Sequence, residues 1–181
     1  MTSRIRNKMA AALVGVALAV GAAPALSLFT GTAEASTSSI SKFDQRLITL
    51  INQARQAHGL RPLAPTAGTT DVAHGWSCHM ANVRILSHNG NLGNALETHG
   101  SRLWTEYDEN VGYVQKSEGA KRLFHAYMNS PEHRANILDS HARFIGSWTK
   151  VGGTKRYNTI DFVGSSTTSY NYNYGGMRTS C

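Results

Sequence analysis

The 181-residue sequence is poor in cysteine (two) and proline (four), and only 16% of its residues are charged. It has no His-Glu-x-x-His, no Gly-x-Ser-x-Gly, no glycine-rich phosphate loop and no Cys-x-x-Cys. Each of those patterns carries one chemistry, so zincin, α/β-hydrolase, P-loop and thioredoxin-type readings lose their support. Lysine and arginine never cluster into a run. The formal net charge of +7 therefore gives no nucleic-acid arm, and no nucleic-acid partner is expected.

What is present begins with a targeting pattern. Arg4, Arg6 and Lys8 form a basic head, and Ala10 to Phe29 is apolar with Pro24 breaking it late. Ala33-Glu34-Ala35 then places small residues where a signal peptidase reads. Residues 1–35 read as a secretory signal peptide cut before Ser36. An uncleaved anchor is the rival, since the run approaches spanning length. No later stretch is apolar enough to cross a membrane. Without Arg4, Arg6, Lys8 and Glu34, fifteen basic and ten acidic residues remain, a net of +5. An exported chain of that charge is drawn to anionic cell-wall polymers or lipid head groups. In an oxidising compartment Cys78 and Cys181 are expected to pair. That bridge would close a loop of about a hundred residues, worth up to ~4–5 kcal/mol, and pin the C-terminal tail. Two free thiols are the alternative, which geometry decides.

Periodicity predicts a helix over residues 41–58, capped by Ser41 with Asp44 as a capping-box-like partner and ended by Gly59 and Pro62. A second helix is expected from about Asp71 to Arg84 with Thr70 as its cap. Residues 86–107 read as a long loop with one short helix. Glu109 to Val114 reads as a short strand and Ser117 to Met128 as a third helix. Ser130-Pro131-Glu132 is a helix start, with Ser130 capping. Two strands follow, Arg143–Val151 and Arg156–Val163, with Gly152-Gly153 as the hairpin signal. Residues 164–181 are Ser, Thr, Tyr, Asn and Gly, a polar tail. The sum is an α+β domain.

Polar residues at element junctions are the candidates for function. His88 follows the second helix, Glu109 opens a strand, and His133 lies in the first turn of the Ser130–Leu138 helix. Spacing alone favours ordinary hydrogen-bonded or surface residues. His74 and Cys78, one helical turn apart with His79 beside them, could share a metal, but only if Cys78 is not in a disulfide. His58, His99, His125 and His141 read as surface residues without partners, and Trp76 and Trp104 as core.

Several runs resemble the CAP superfamily of cysteine-rich secretory, venom-antigen and pathogenesis-related proteins, in its bacterial secreted (SCP-like) branch. They are Leu50-Ile51-Asn52-Gln53-Ala54-Arg55 with Gly59-Leu60 and Leu63, Trp76-Ser77 with His79-Met80-Ala81, Leu86-Ser87-His88-Asn89, Glu109-Asn110-Val111-Gly112, Ser130 through Leu138, and Asp161-Phe162. The resemblance covers about Asp44 to Gly164, and implies a CAP domain over residues 36–163. It implies an α-β-α sandwich around a central antiparallel sheet. It also implies a shared cleft of two histidines and two glutamates, which carries over as His88, Glu109 and His133. Ser130, in Tyr127-Met128-Asn129-Ser130, stands where many members have the second glutamate. Asp108 replaces a common glycine, and Gly146-Ser147-Trp148 replaces a small-residue pattern, so an indole must be housed near the sheet.

Two neutral imidazoles, His88 and His133, could hold a divalent metal such as Zn²⁺, with Glu109 orienting a histidine or taking a proton from bound water. Three functions follow. The first is a secreted or cell-wall-associated module binding a small ligand, lipid, cell-wall fragment or peptide, with a metal as an option. The second is a cell-surface structural or interaction domain. The third is a metal-assisted, peptidase-like hydrolase with His88, Glu109 and His133 as catalytic residues. They rank in that order, with enzymatic activity the less favoured reading.

Overall fold

The computed structural model describes residues 40–99, 104–165 and 181, with the backbone of Asn7 and Lys8. Apart from those two residues the expected signal peptide lies outside the described residues, as do positions 166–180 of the tail.

Helix α1 spans Lys42–Ala57, and Ser41 caps it as expected, its Oγ accepting the Asp44 N–H at 3.1 Å. Leu47, Ile48 and Ile51 are buried along its inner face. Gly59 takes the left-handed conformation after the helix, φ +71°, which a residue lacking Cβ adopts without strain. Asp44 does more than support the cap. Its carboxylate turns inward and accepts from Ser41 Oγ (2.6 Å), Thr149 Oγ1 (2.7 Å) and Ser147 Oγ (3.0 Å). Burial raises its carboxyl above the ordinary range, and these hydrogen bonds pull it back down.

A two-residue strand β2 (Ala64–Pro65) leads into α2 (Ala67–Val83). The second helix therefore starts a turn earlier than expected. Thr66 is the cap, its Oγ1 accepting the Thr69 N–H, and Thr70 is already inside the helix, its hydroxyl donating to the Thr66 carbonyl at 2.7 Å. The short helix expected in the long loop is α3 (Leu92–Thr98). Strand β3 (Trp104–Gln115) is twice the predicted length because it pairs with β5 along its whole course. Helix α4 (Ala120–Asn129) starts three residues late, at Ala120 after the cap Gly119, because Gln115 to Glu118 form a turn in which the Lys116 N–H donates to the Thr154 carbonyl. Helix α5 is Pro131–Ile137, and β4 (Ala142–Gly152) and β5 (Lys155–Ser165) form the hairpin. Its turn is Gly153-Thr154, with Gly153 at φ +63°; Gly152 stays in the ladder, paired with Lys155.

The sheet order is β1-β3-β5-β4-β2, where β1 is the Asn7–Lys8 pair on the outer edge of β3. The β3-β5-β4 centre is antiparallel as expected. The sheet is nevertheless mixed, because β2 runs parallel to β4 at its edge. Pro65 is tolerated there because an edge position needs no donor from it. One face of the sheet packs on α1, α4 and α5 through Leu47, Ile51, Leu123, Ile145, Ile160 and Phe162. The other lies under α2 and α3, with Val72, Leu96, Phe144, Val163, Met80 and Tyr157. The result is three layers, α-β-α.

Gly146 sits directly under α2, where a Cβ would fall 2.3 Å from the Thr69 carbonyl carbon. The neighbouring indole of Trp148 is housed edge-on to His74, ring centroids 4.5 Å apart. Arg55 is fully buried. Its guanidinium donates to the carbonyls of Arg61 (2.9 Å), Ile137 (2.7 Å) and Asp139 (2.9 Å), tying α1 to the end of α5.

Candidate functional site

The site forms on β3, between α5 and the loop after α2. The left-handed Arg84 (φ 58°) turns the chain out of α2. Trp76 Nε1 then donates to the Ser87 carbonyl at 2.8 Å and holds the loop in place. This delivers His88 to β3, where its Nδ1 meets Glu109 Oε1 at 2.6 Å. The Asn89 N–H donates to the same oxygen at 2.9 Å. A carboxylate only accepts, so the proton at this contact resides on His88 Nδ1, and Nε2 is the ring atom left to face a ligand. Glu109 is fully buried. Neither His88 Nε2 nor Glu109 Oε2 has a hydrogen-bond partner among the described residues.

His133 approaches from α5. Pro131 occupies its first turn, and Ser130 holds the cap position with extended backbone. The Ser130 hydroxyl does not cap, however. It donates to Glu132 Oε2 at 3.0 Å, because that acidic side chain competes for it. Two asparagines fasten α5 to β3. Asn110 Nδ2 donates to the His133 carbonyl at 3.1 Å, and Asn136 Nδ2 to Asn110 Oδ1 at 2.9 Å and the Glu109 carbonyl at 3.2 Å. The His133 ring is 5% exposed and stands edge-on to Tyr127 at 4.9 Å. Its Nε2 and Asn136 Oδ1 also lack partners among the described residues. His88 and Glu109 are thus in direct contact, and His133 is anchored through backbone to the same strand residues.

Burial, reinforced by nearby His88, lowers the His133 pKa from 6.5 to about 4. The unfolded chain then binds the proton that the folded chain refuses between those values. This contribution to stability is complete above pH 6.5 and fades as pH falls toward 4. Unfolding free energy is expected to drop by about 2–3 kcal/mol more in the wild type than in His133→Phe between pH 7 and 4. Urea titrations at both pH values check it, and equal losses would remove His133 as the cause.

Sequence reasoning placed Ser130 at the missing second acidic position, and its hydroxyl is committed to Glu132. A second carboxylate is present, but on β5. Asp161 stands opposite Glu109 in the β3–β5 register, fully buried, and neither of its oxygens has a partner among the described residues. Burial first, then the Glu109 charge, holds its carboxyl well above the ordinary range. The signal was available, because an aspartate between Ile160 and Phe162 breaks an apolar strand run.

Among the described residues, the triads of ligand atoms lying within 4.8 Å of one another are His74–Cys78–Cys181 and Glu106–Asp139–His141. Cys78 and Cys181 are joined in a disulfide, as expected. His99 and His141, expected to be unpartnered, are both paired: His99 Nδ1 lies 2.6 Å from Asp71 Oδ2, and His141 Nδ1 lies 3.1 Å from Asp139 Oδ1.

The profile of the CAP, or cysteine-rich secretory protein, family matches residues 48–170. The uncharacterized protein YkwD of Bacillus subtilis is 30% identical over 128 residues, 68% of this chain, which spans only 49% of that relative's length. An outer surface protein of Borrelia burgdorferi shares the fold with a TM-score of 0.62 at 16% identity, over 70% of this chain and 95% of that one. A Bacillus anthracis extracellular protein containing an SCP domain superposes with a TM-score of 0.57 at 24% identity, over 72% of this chain and 41% of that one.

Proposed function

We propose, from the premise that this chain belongs to the CAP family, that it is an exported binding domain whose His88–Glu109–His133 cleft takes up a polar ligand. The carrying observation is the set of buried polar atoms on β3, α5 and the loop after α2 without partners among the described residues: His88 Nε2, Glu109 Oε2, His133 Nε2 and Asn136 Oδ1. A buried polar atom left unpaired costs about 1–3 kcal/mol, so a matching ligand recovers that energy on binding. The mixture of acceptors and imidazole nitrogens suits a peptide-bearing cell-wall fragment better than an acyl chain. The net positive charge favours an anionic wall polymer in the same way.

Export rests on the basic head, apolar run and Ala33-Glu34-Ala35. The names of the fold relatives, an outer surface protein and an extracellular protein, agree with it. Among the described residues no helix is long and apolar enough to cross a membrane.

A divalent metal is an option at this cleft. His88 Nε2 and His133 Nε2 are the donors that would hold it, and an ion there would polarise a ligand carbonyl or a water molecule. A hydrolase acting through Glu109 ranks lower, because neither imidazole belongs to a three-ligand cluster within 4.8 Å among the described residues. Calorimetry with soluble peptidoglycan fragments, and separately with Zn²⁺, tests the reading. Heat is expected from the fragments and is lost in His88→Ala and in His133→Ala. Fragment binding that survives both changes would overturn it.

A further inference from the structure

A second group of soft donors lies outside the cleft. His74 and Cys78 are one turn apart on α2, and His74 Nε2 is 3.4 Å from Cys78 Sγ. With Cys181 Sγ these atoms lie within 4.8 Å of one another. His74 and Cys78 are buried at 2% and 6% exposure, and Trp148 braces the imidazole from its edge. Cys181 is exposed. In the oxidised chain the two sulfurs are bonded to each other and offer a metal no thiolate.

We propose that reduction of Cys78–Cys181 converts this cluster into a Cys₂His site for a thiophilic divalent ion such as zinc. Position 181 then stays fastened to α2 by coordination once the covalent link is gone. A small dithiol supplies two electrons and two protons and leaves as its own disulfide, while the bridge becomes two thiols. The exposed Cys181 sulfur is the one the dithiol reaches, and the buried Cys78 sulfur is the leaving group. The incoming ion displaces both thiol protons to solvent, and His74 donates its Nε2 lone pair. Metal–sulfur bonds of about 2.3 Å and a metal–nitrogen bond of about 2.0 Å put the sulfurs roughly 3.8 Å apart in a tetrahedral site. The sulfurs, now bonded to each other, separate by that much as the exposed Cys181 shifts away from the buried Cys78. Two of the three ligands are already set by helical spacing, and the fourth position is open to water.

Cobalt(II) is the probe, because thiolate ligation gives it sulfur-to-metal charge-transfer bands and intense tetrahedral d–d bands. Protein reduced with dithiothreitol and desalted without oxygen is expected to bind one equivalent with both signatures. Oxidised protein is expected to show neither. His74→Phe keeps a flat ring against Trp148 and should weaken cobalt binding by about tenfold or more. Cys181→Ser should remove about half of the charge-transfer intensity, since one of two thiolates is lost. His88→Ala and His133→Ala should leave the sulfur bands unchanged, which separates this site from the cleft. Reduced wild type without sulfur bands would overturn the proposal. So would a His74→Phe protein with the wild-type affinity and spectrum, or sulfur bands that vanish with a cleft histidine.

Discussion

Arg55→Met is expected to lower the unfolding free energy by about 3–5 kcal/mol, and Arg55→Lys by nearly as much. The guanidinium is fully buried and serves three carbonyls from two segments: Arg61 in the turn after α1, and Ile137 and Asp139 at the end of α5. Burial pulls its pKa down, and the Asp139 carboxylate raises it again, so the charge is partly compensated where it sits. Methionine fills much of the volume but leaves those carbonyls unpaired in the interior. A lysine ammonium is one compact charge at the end of a flexible stem, and it cannot reproduce the fork that meets Arg61 and Ile137 together. Urea denaturation followed by circular dichroism measures the loss. Values within about 1 kcal/mol of wild type for both variants would show that the α1–α5 tie carries little energy.

The second large effect is expected from the disulfide. Cys78→Ser combined with Cys181→Ser should cost about 2–4 kcal/mol, because the bond spans 103 positions and restricts the unfolded chain more than it shapes the folded one. The native spectrum should therefore stay unchanged while the urea midpoint falls. A double variant with the wild-type midpoint, in protein confirmed to be oxidised before mutation, would mean that the bridge contributes little to stability.

Much of the architecture is legible in the sequence. The first helix, its Ser41 cap and its Gly59 stop are local signals, as are the Pro131 helix start and the Gly153 turn. The errors fall where tertiary pairing decides. The strand expected over Glu109–Val114 is the second half of β3. The polar Glu106 and Asp108 conceal its first half, although the whole length is paired with β5. The parallel edge strand β2 is two residues long and contains a proline, so no periodicity could reveal it. Thr70 is the cap the sequence suggests, and the pairing of Pro65 with Ile145 puts Thr66 in that role instead.

The site divides in the same way. His88, Glu109 and His133 were found only through resemblance, since each alone looks like an ordinary surface residue. The side chains that assemble them were inside the same motifs but went unread. Asn110 and Asn136 tie α5 to β3, and Trp76 secures the His88 loop. Asp161 is the clearest omission. Its partner Glu109 is 52 positions away, and only the β3–β5 register makes them neighbours. A buried carboxyl beside another is costly when both are ionised, and the Asp161 carboxyl is accordingly pushed well above the ordinary range.

Amide and imidazole chemical-shift mapping of the oxidised, isotope-labelled protein during titration with soluble peptidoglycan fragments reads out directly where a ligand settles. The largest shifts are expected at His88, Asn89, Glu109, Asn110, His133 and Asn136, saturating together with one affinity. Saturating shifts confined to the hairpin turn at Gly153 or to the outer face of α1, with these six residues unmoved, would contradict a cleft built on His88, Glu109 and His133.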